Sequence, residues 1–99
     1  MYQLLQTDVF SKWLSGLRDN RAKARILARL DAARLGNLGD NKSVGGGVSE
    51  MRIDVGAGYR VYFIRRQAIV ILVLCGGDKT TQPKDISRAK TMARELDQE

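Results

Sequence analysis

Gly45-Gly46-Gly47-Val48-Ser49-Glu50-Met51-Arg52-Ile53-Asp54-Val55-Gly56-Ala57-Gly58-Tyr59-Arg60-Val61-Tyr62-Phe63-Ile64-Arg65-Arg66 opens the stretch that decides the fold; it continues through Ala68 to Cys75 and closes on Gly76-Gly77-Asp78-Lys79-Thr80-Thr81-Gln82. Successive side chains of a strand point to opposite faces. In Val48 to Val55, Ser49, Met51, Ile53 and Val55 therefore fall on one face and Val48, Glu50, Arg52 and Asp54 on the other, so Arg52 leaves the face that Met51 and Ile53 bury. Tyr59 to Arg66 sets Val61 and Phe63 against Arg60 and Tyr62 in the same way. Gly56-Ala57-Gly58 predicts a hairpin between these strands, which brings Arg52 and Arg60 onto one shared open surface. Ala68 to Cys75 is apolar almost throughout, as a central strand covered on both faces would be, and it delivers the polar turn Gly76 to Gln82 to the rim of the sheet. Fixed cations on a sheet beside a polar loop suit a phosphate backbone.

Upstream, Tyr2 to Gln6 reads as a short strand, and Thr7 or Asp8 can cap a helix in which Val9, Phe10, Trp13, Leu14 and Leu17 recur at helical spacing. That spacing makes Trp13 a core residue rather than a stacking platform. Asp19 or Asn20 can cap a second helix with the buried stripe Ala22, Ile26, Leu30 and Ala33, and Gly36 lies just past its end. Leu35 to Gly47, rich in glycine, asparagine and aspartate, reads as an irregular connection from helix to strand; it lacks the spaced glycines of a P-loop, and Lys42 within it is a secondary candidate for phosphate contact. Downstream, Pro83 suits the first turn of a helix, with Thr81 or Gln82 as cap and Ile86, Ala89, Ala93 and Leu96 as the packed stripe. The expectation is a single α+β domain over residues 1–99, with an N-terminal strand and helical hairpin packed on a small, mainly antiparallel sheet and a C-terminal helix.

A chain of 99 residues can bury one core and is too short for two. Its 17 Lys and Arg against 11 Asp and Glu give a net charge of +6, which fits an anionic partner, nucleic acid or an acidic protein, as well as a merely solubilising surface. Through Leu35 the cations Lys12, Arg18, Arg21, Lys23, Arg25, Arg29 and Arg34 oppose only Asp8, Asp19 and Asp31, so most of the excess lies on the helical hairpin. Arg21, Arg25 and Arg29 stand four apart on one helical face, which can grip phosphates or simply be solvated. Cys75 is alone, so there is no disulfide framework, and its place at the end of an apolar run makes it a core residue. Histidine is absent, which removes imidazole metal ligands, the usual near-neutral general base and any histidine-dependent triad. No metal or cofactor is expected. The longest apolar run falls far short of the roughly 20 residues that span a bilayer, and the N-terminus lacks the apolar core of a signal peptide. The expectation is a soluble, cytoplasmic protein with no membrane contact.

The combined pattern of Phe10 to Leu17, Ala22-Lys23-Ala24-Arg25-Ile26, Gly36-Asn37-Leu38-Gly39-Asp40, Gly47 to Ile53, Gly58-Tyr59-Arg60-Val61-Tyr62-Phe63 and Gly76 to Gln82 closely resembles the RelE/ParE toxin superfamily, and more narrowly its HigB-like branch of addiction-module killer proteins. The resemblance covers nearly the whole chain. It implies a RelE-like fold and the toxin of a type II toxin–antitoxin module, bound by a cognate antitoxin of helix-turn-helix type as a hetero-oligomer. It further implies a ribosome-dependent mRNA endoribonuclease, an mRNA interferase that inhibits translation without metal or cofactor. On that model the 2′-hydroxyl of a nucleotide attacks its own 3′ phosphate, which requires a proton acceptor, cations and a donor to the leaving oxygen. Carried over by motif, Arg60 in Tyr59-Arg60-Val61-Tyr62 neutralises the phosphate, and Arg52 is a second cation whose structural alternative is an ion pair with Glu50 or Asp54. Lys79 is the basic residue of the turn; Asp78 and Gln82 orient groups or accept a proton, with Asp78 alternatively only stabilising the turn. Lys84, at the start of the last helix, and Tyr59 and Tyr62 are candidates for RNA contact and base stacking. Two other functions fit the same sequence: a ParE-like poison of DNA gyrase, and a plain nucleic-acid-binding module.

Overall fold

Capping side chains start the two N-terminal helices. Thr7 Oγ1 accepts from the Phe10 amide at 3.1 Å and Asp19 Oδ1 from the Ala22 amide at 3.0 Å, which satisfies donors that a helix start leaves unpaired. The computed structural model describes residues 1–97. In chain order it contains β1 (Gln3–Gln6), α1 (Asp8–Ser15), α2 (Asn20–Arg34), β2 (Asn41–Gly45), β3 (Val48–Ile53), β4 (Tyr59–Arg66), β5 (Val70–Asp78), a 3-10 turn (Lys79–Thr81) and α3 (Gln82–Asp97). The strands form one mixed sheet in the order β1-β5-β4-β3-β2, with β1 parallel to β5 and every other pair antiparallel. The architecture is α+β, as expected. No helix of the described residues is long and apolar enough to cross a membrane.

Both faces of the sheet are covered, and strand alternation decides which residues meet which layer. Met51, Ile53, Val61, Phe63, Ile71 and Val73 pack with Phe10 of α1 and with Ile26, Leu30 and Ala33 of α2. Val48, Tyr62, Ile64, Leu74 and Cys75 pack with Ala89 and Ala93 of α3. The predicted stripe of α2, Ala22, Ile26, Leu30 and Ala33, is its full set of buried residues.

Three expectations need correction. The segment from Leu35 to Gly47 is not wholly irregular, because Asn41–Gly45 forms the edge strand β2. An edge strand with one neighbour and a register shift between Ser43 and Gly45 has no need of alternating apolar residues, so its sequence carries no strand signal. Gly76 and Gly77 do not begin a turn; β5 runs on to Asp78. These two glycines are there for close approach. A Cβ on Gly76 would stand 2.5 Å from the Trp13 ring, and one on Gly77 would fall on the Asp85 carboxylate, so α1 and α3 press on the strand from opposite sides. Finally, the surface that Arg52 and Arg60 share is not open throughout, since α3 closes over Glu50 and Tyr62, both 0% exposed.

Burial under α3 also sets a pH limit. It pushes the Cys75 thiol up to about 11, against an opposing pull from Arg88, and it raises the Tyr62 phenol, with the Glu50 charge adding to the rise. Both groups must stay protonated in the folded chain, so their contribution is complete below the unfolded thiol value of about 8.5 and is lost as pH rises through the folded values. The urea midpoint is expected to hold steady from neutrality to about pH 8.5 and then to fall, the thiol costing on the order of 2 kcal/mol by pH 11. Cys75→Ala should remove that part of the slope. An unchanged midpoint up to pH 11 would refute the assignment.

Candidate functional site

Antiparallel pairing sets Arg52 of β3 directly opposite Arg60 of β4. Like charges facing each other across strands repel, and each guanidinium has its own carboxylate. Asp40 lies 3.4 Å from Arg52 Nη2, and Glu50 lies 3.7 Å from Arg60 Nε. The partner of Arg52 is thus neither Glu50 nor Asp54. Asp40 reaches it because the Arg52 amide donates to the Asp40 carbonyl at 3.0 Å as the chain enters β2.

The two ion pairs differ in depth. Arg52 and Asp40 are 39% and 59% exposed, so solvent screens them, whereas Arg60 is 12% exposed and Glu50 fully buried. A buried carboxylate persists only with compensating partners. Glu50 Oε2 accepts from Gln82 Nε2 at 2.6 Å and from the Tyr62 hydroxyl at 3.3 Å, so Gln82, the first residue of α3, ties the helix start to the sheet. Arg60 Nη1 also donates to the carbonyls of Gly58 and Tyr59, at 3.2 and 3.3 Å. Three buried polar atoms of this cluster make no hydrogen bond among the described residues: Glu50 Oε1, Arg52 Nε and Arg60 Nε.

Other predicted residues gather around this core. Gly58, at φ 76°, holds the hairpin tight; a Cβ there would meet Lys79 at 3.4 Å and Arg60 Nη1 at 3.7 Å, so Lys79 and Arg60 adjoin the same turn. Lys42 of β2 sits opposite Glu50 and is exposed, and Lys84 is exposed in the first turn of α3. Asp78 serves the turn: its Oδ1 accepts from both the amide and the hydroxyl of Thr80, and those bonds hold its carboxyl below the usual carboxylate range. Tyr62 is buried, and Tyr59 is half-buried edge-on to Trp13 with ring centroids 6.2 Å apart.

Arg21, Arg25 and Arg29 belong to the other helical layer. Arg21 and Arg25 are exposed, but Arg29 turns inward and donates to the carbonyls of Arg52, Leu38 and Asp40 at 2.5, 3.2 and 3.1 Å. It braces the loop that carries Asp40 and leaves two cations, not three, on that face. Sequence reasoning gave no functional weight to Glu50 or Asp85. The signal for Glu50 was its parity, because it shares a strand face with Val48 and Tyr62, the face that α3 closes. Asp85, 9% exposed, accepts from Thr81 Oγ1 and anchors the first turn of α3 against Gly77. Among the described residues no three His, Cys, Asp or Glu side chains come together as a metal-binding group.

Residues 12–98 match the model of the family described as phage-derived protein Gp49-like (DUF891). An uncharacterized protein of Haemophilus influenzae is 51% identical over 94 residues, which is 95% of this chain and 95% of that one. The matched span runs from the second half of α1 through α3 and takes in every residue of the arginine cluster, and on this ground the chain belongs to the Gp49-like family.

Proposed function

We propose that the chain is the toxin of a toxin–antitoxin module, of the RelE/HigB-like kind, and that it cleaves mRNA on the translating ribosome. Membership of the Gp49-like family, which is associated with such toxins, supports the toxin role. The observation that carries the chemistry is the pair Arg52 and Arg60, set opposite each other across β3 and β4, each with a guanidinium Nε–H that makes no hydrogen bond and with Arg60 held by Glu50 at 3.7 Å. A phosphodiester complements such donors, because its phosphate oxygens accept.

In the proposed step the 2′ oxygen forms a bond to phosphorus and the bond to the leaving 5′ oxygen breaks. Arg60 and Arg52 stabilise the charge that develops on the phosphate. The carboxylate of Asp78, at the end of β5 next to Lys79, receives the 2′-hydroxyl proton, and Lys79, beside the Gly58 turn, gives a proton to the leaving oxygen. Gln82 and Tyr62 hold Glu50 in place. Expression of the chain alone, with mRNA ends mapped, tests the proposal: growth should stop and messages should be cut at fixed positions within codons. DNA damage with intact mRNA would instead identify a gyrase poison, and binding without toxicity a simple nucleic-acid-binding module.

A further inference from the structure

Of the five exposed large apolar side chains among the described residues, the others being Met1 and Ile69, three share one face. Leu5, Leu27 and Leu35 are 45%, 47% and 69% exposed, and they gather where α2 runs beside β1. Leu4, Leu5, Leu27 and Leu30, with Asp31 and Arg34, line an open groove of about 480 Å³ between the two elements. Along α2, Ala24, Leu27, Ala28, Asp31 and Leu35 are all exposed and recur at i, i+3, i+4, i+7 and i+11, on the side away from the buried stripe. Helical geometry sets Lys23 and Arg34 along one border of this seam and Arg21 and Arg25 along the other. β1 is an edge strand whose Gln3 and Thr7 amides bond toward β5 at 2.7 and 3.0 Å, so the Leu4 and Gln6 amides turn outward beside the groove.

We infer that this face is the docking surface for an acidic amphipathic helix of a partner protein. Its apolar side chains would enter the seam and groove, and its carboxylates would meet Arg21, Lys23 and Arg25 and compete with Asp31, 3.6 Å from Arg34, for that fourth cation. Charge decides the occupant. A second copy of a chain of net charge +6 would bring the same cations face to face, and RNA would satisfy the cations but leave Leu5, Leu27 and Leu35 against water. The surface lies in the helical layer on the far side of the sheet from α3, so a partner anchored here leaves the Glu50–Arg60 cluster uncovered. It inhibits by masking Arg21 and Arg25, cations available to ribosomal RNA. The identity of the partner as an antitoxin rests on the proposed toxin function; the surface and its chemistry do not.

The test uses the whole chain co-expressed with its antitoxin, sought as a small protein encoded beside it, comparing the wild type, Leu27→Ser and the double variant Leu5→Ser/Leu27→Ser. These changes remove apolar anchors at exposed positions without altering charge. The expected result is that each variant arrests growth as the wild type does, while rescue by the partner weakens, the single variant losing about 10-fold and the double about 100-fold in affinity. Hydrogen exchange on the wild-type complex should show protection along α2 and β1. Full rescue of the double variant, or protection confined to the Arg60 and Lys79 rim, would overturn the inference and leave the toxin function standing. Loss of ribosome binding by the double variant with partner binding intact would make this an RNA surface, and loss of a homodimer would give it to a second copy; both overturn the inference. A wild type that does not arrest growth but still loses its partner on substitution would sink the toxin function and leave the docking surface intact.

Discussion

Arg60→Lys is expected to lower cleavage of translated mRNA by about 100-fold or more, in line with the loss of one transition-state charge contact, while the protein stays folded. Lysine keeps a cation against Glu50 but loses the planar fork that places donors on the carboxylate and the phosphate together. Arg60→Ala is a different experiment. It strips the partner from a carboxylate that is fully buried, and breaking such a pair costs about 3–5 kcal/mol, a large share of the roughly 5–15 kcal/mol that holds a domain together. Loss of toxicity in the alanine variant would therefore mix misfolding with lost chemistry. Adding Glu50→Gln to Arg60→Ala removes the orphaned charge and keeps a side chain able to bond Gln82 and Tyr62, so the double variant should recover its melting temperature and remain inactive. Messenger cleavage and thermal melts at matched soluble levels separate the two effects. Full growth arrest by Arg60→Lys would remove Arg60 from the chemistry.

The need for that control could not be read from the sequence. Alternation in Val48–Ile53 and Tyr59–Arg66 places Arg52 and Arg60 on one face, and the register sets them opposite each other. Periodicity likewise marks the stripe of α2 and the apolar β5. What alternation cannot say is which face a distant helix will close. Glu50 shares its parity with the apolar Val48 but also with Arg52 and Asp54, so alternation leaves its face undecided, and only the return of α3, whose Gln82 lies 32 residues further on, buries it and makes it the counter-ion of Arg60. The same holds for Gly76 and Gly77. Two adjacent glycines before a polar run have the local signature of a turn, and the cause of their presence, Trp13 on one side and Asp85 on the other, is tertiary. Arg29 shares the spacing of Arg21 and Arg25, yet three carbonyls of the chain claim it, a contact that helical spacing does not encode.

The proposed dependence on the ribosome rests on where the aromatic rings are. Unaided cleavage of a single strand requires its bases to be splayed and held, for which proteins use exposed aromatic platforms. Here Phe10, Phe63 and Tyr62 are buried, Trp13 packs over Gly76, Tyr59 lies edge-on to Trp13, and Arg65 sits 5.7 Å over Tyr2. The residues proposed to act on the phosphate are thus unaccompanied by an open surface that could order a nucleotide. Alignment has to come from elsewhere, and the ribosome presents each codon in fixed geometry; positioning of this kind is worth about 7–11 kcal/mol in well-oriented reactions. Purified protein is expected to leave naked mRNA essentially uncut and to cleave the same message during translation faster by a factor on the order of 10³ or more, well within that range. Binding should weaken as salt rises, because Arg21, Arg25 and Lys42 would meet phosphate through exposed, screened contacts. Efficient, salt-tolerant cutting of free RNA would show that the chain orders its own substrate and would sink the ribosome requirement. Absence of cutting in either setting would remove the nuclease function itself and turn attention to DNA gyrase.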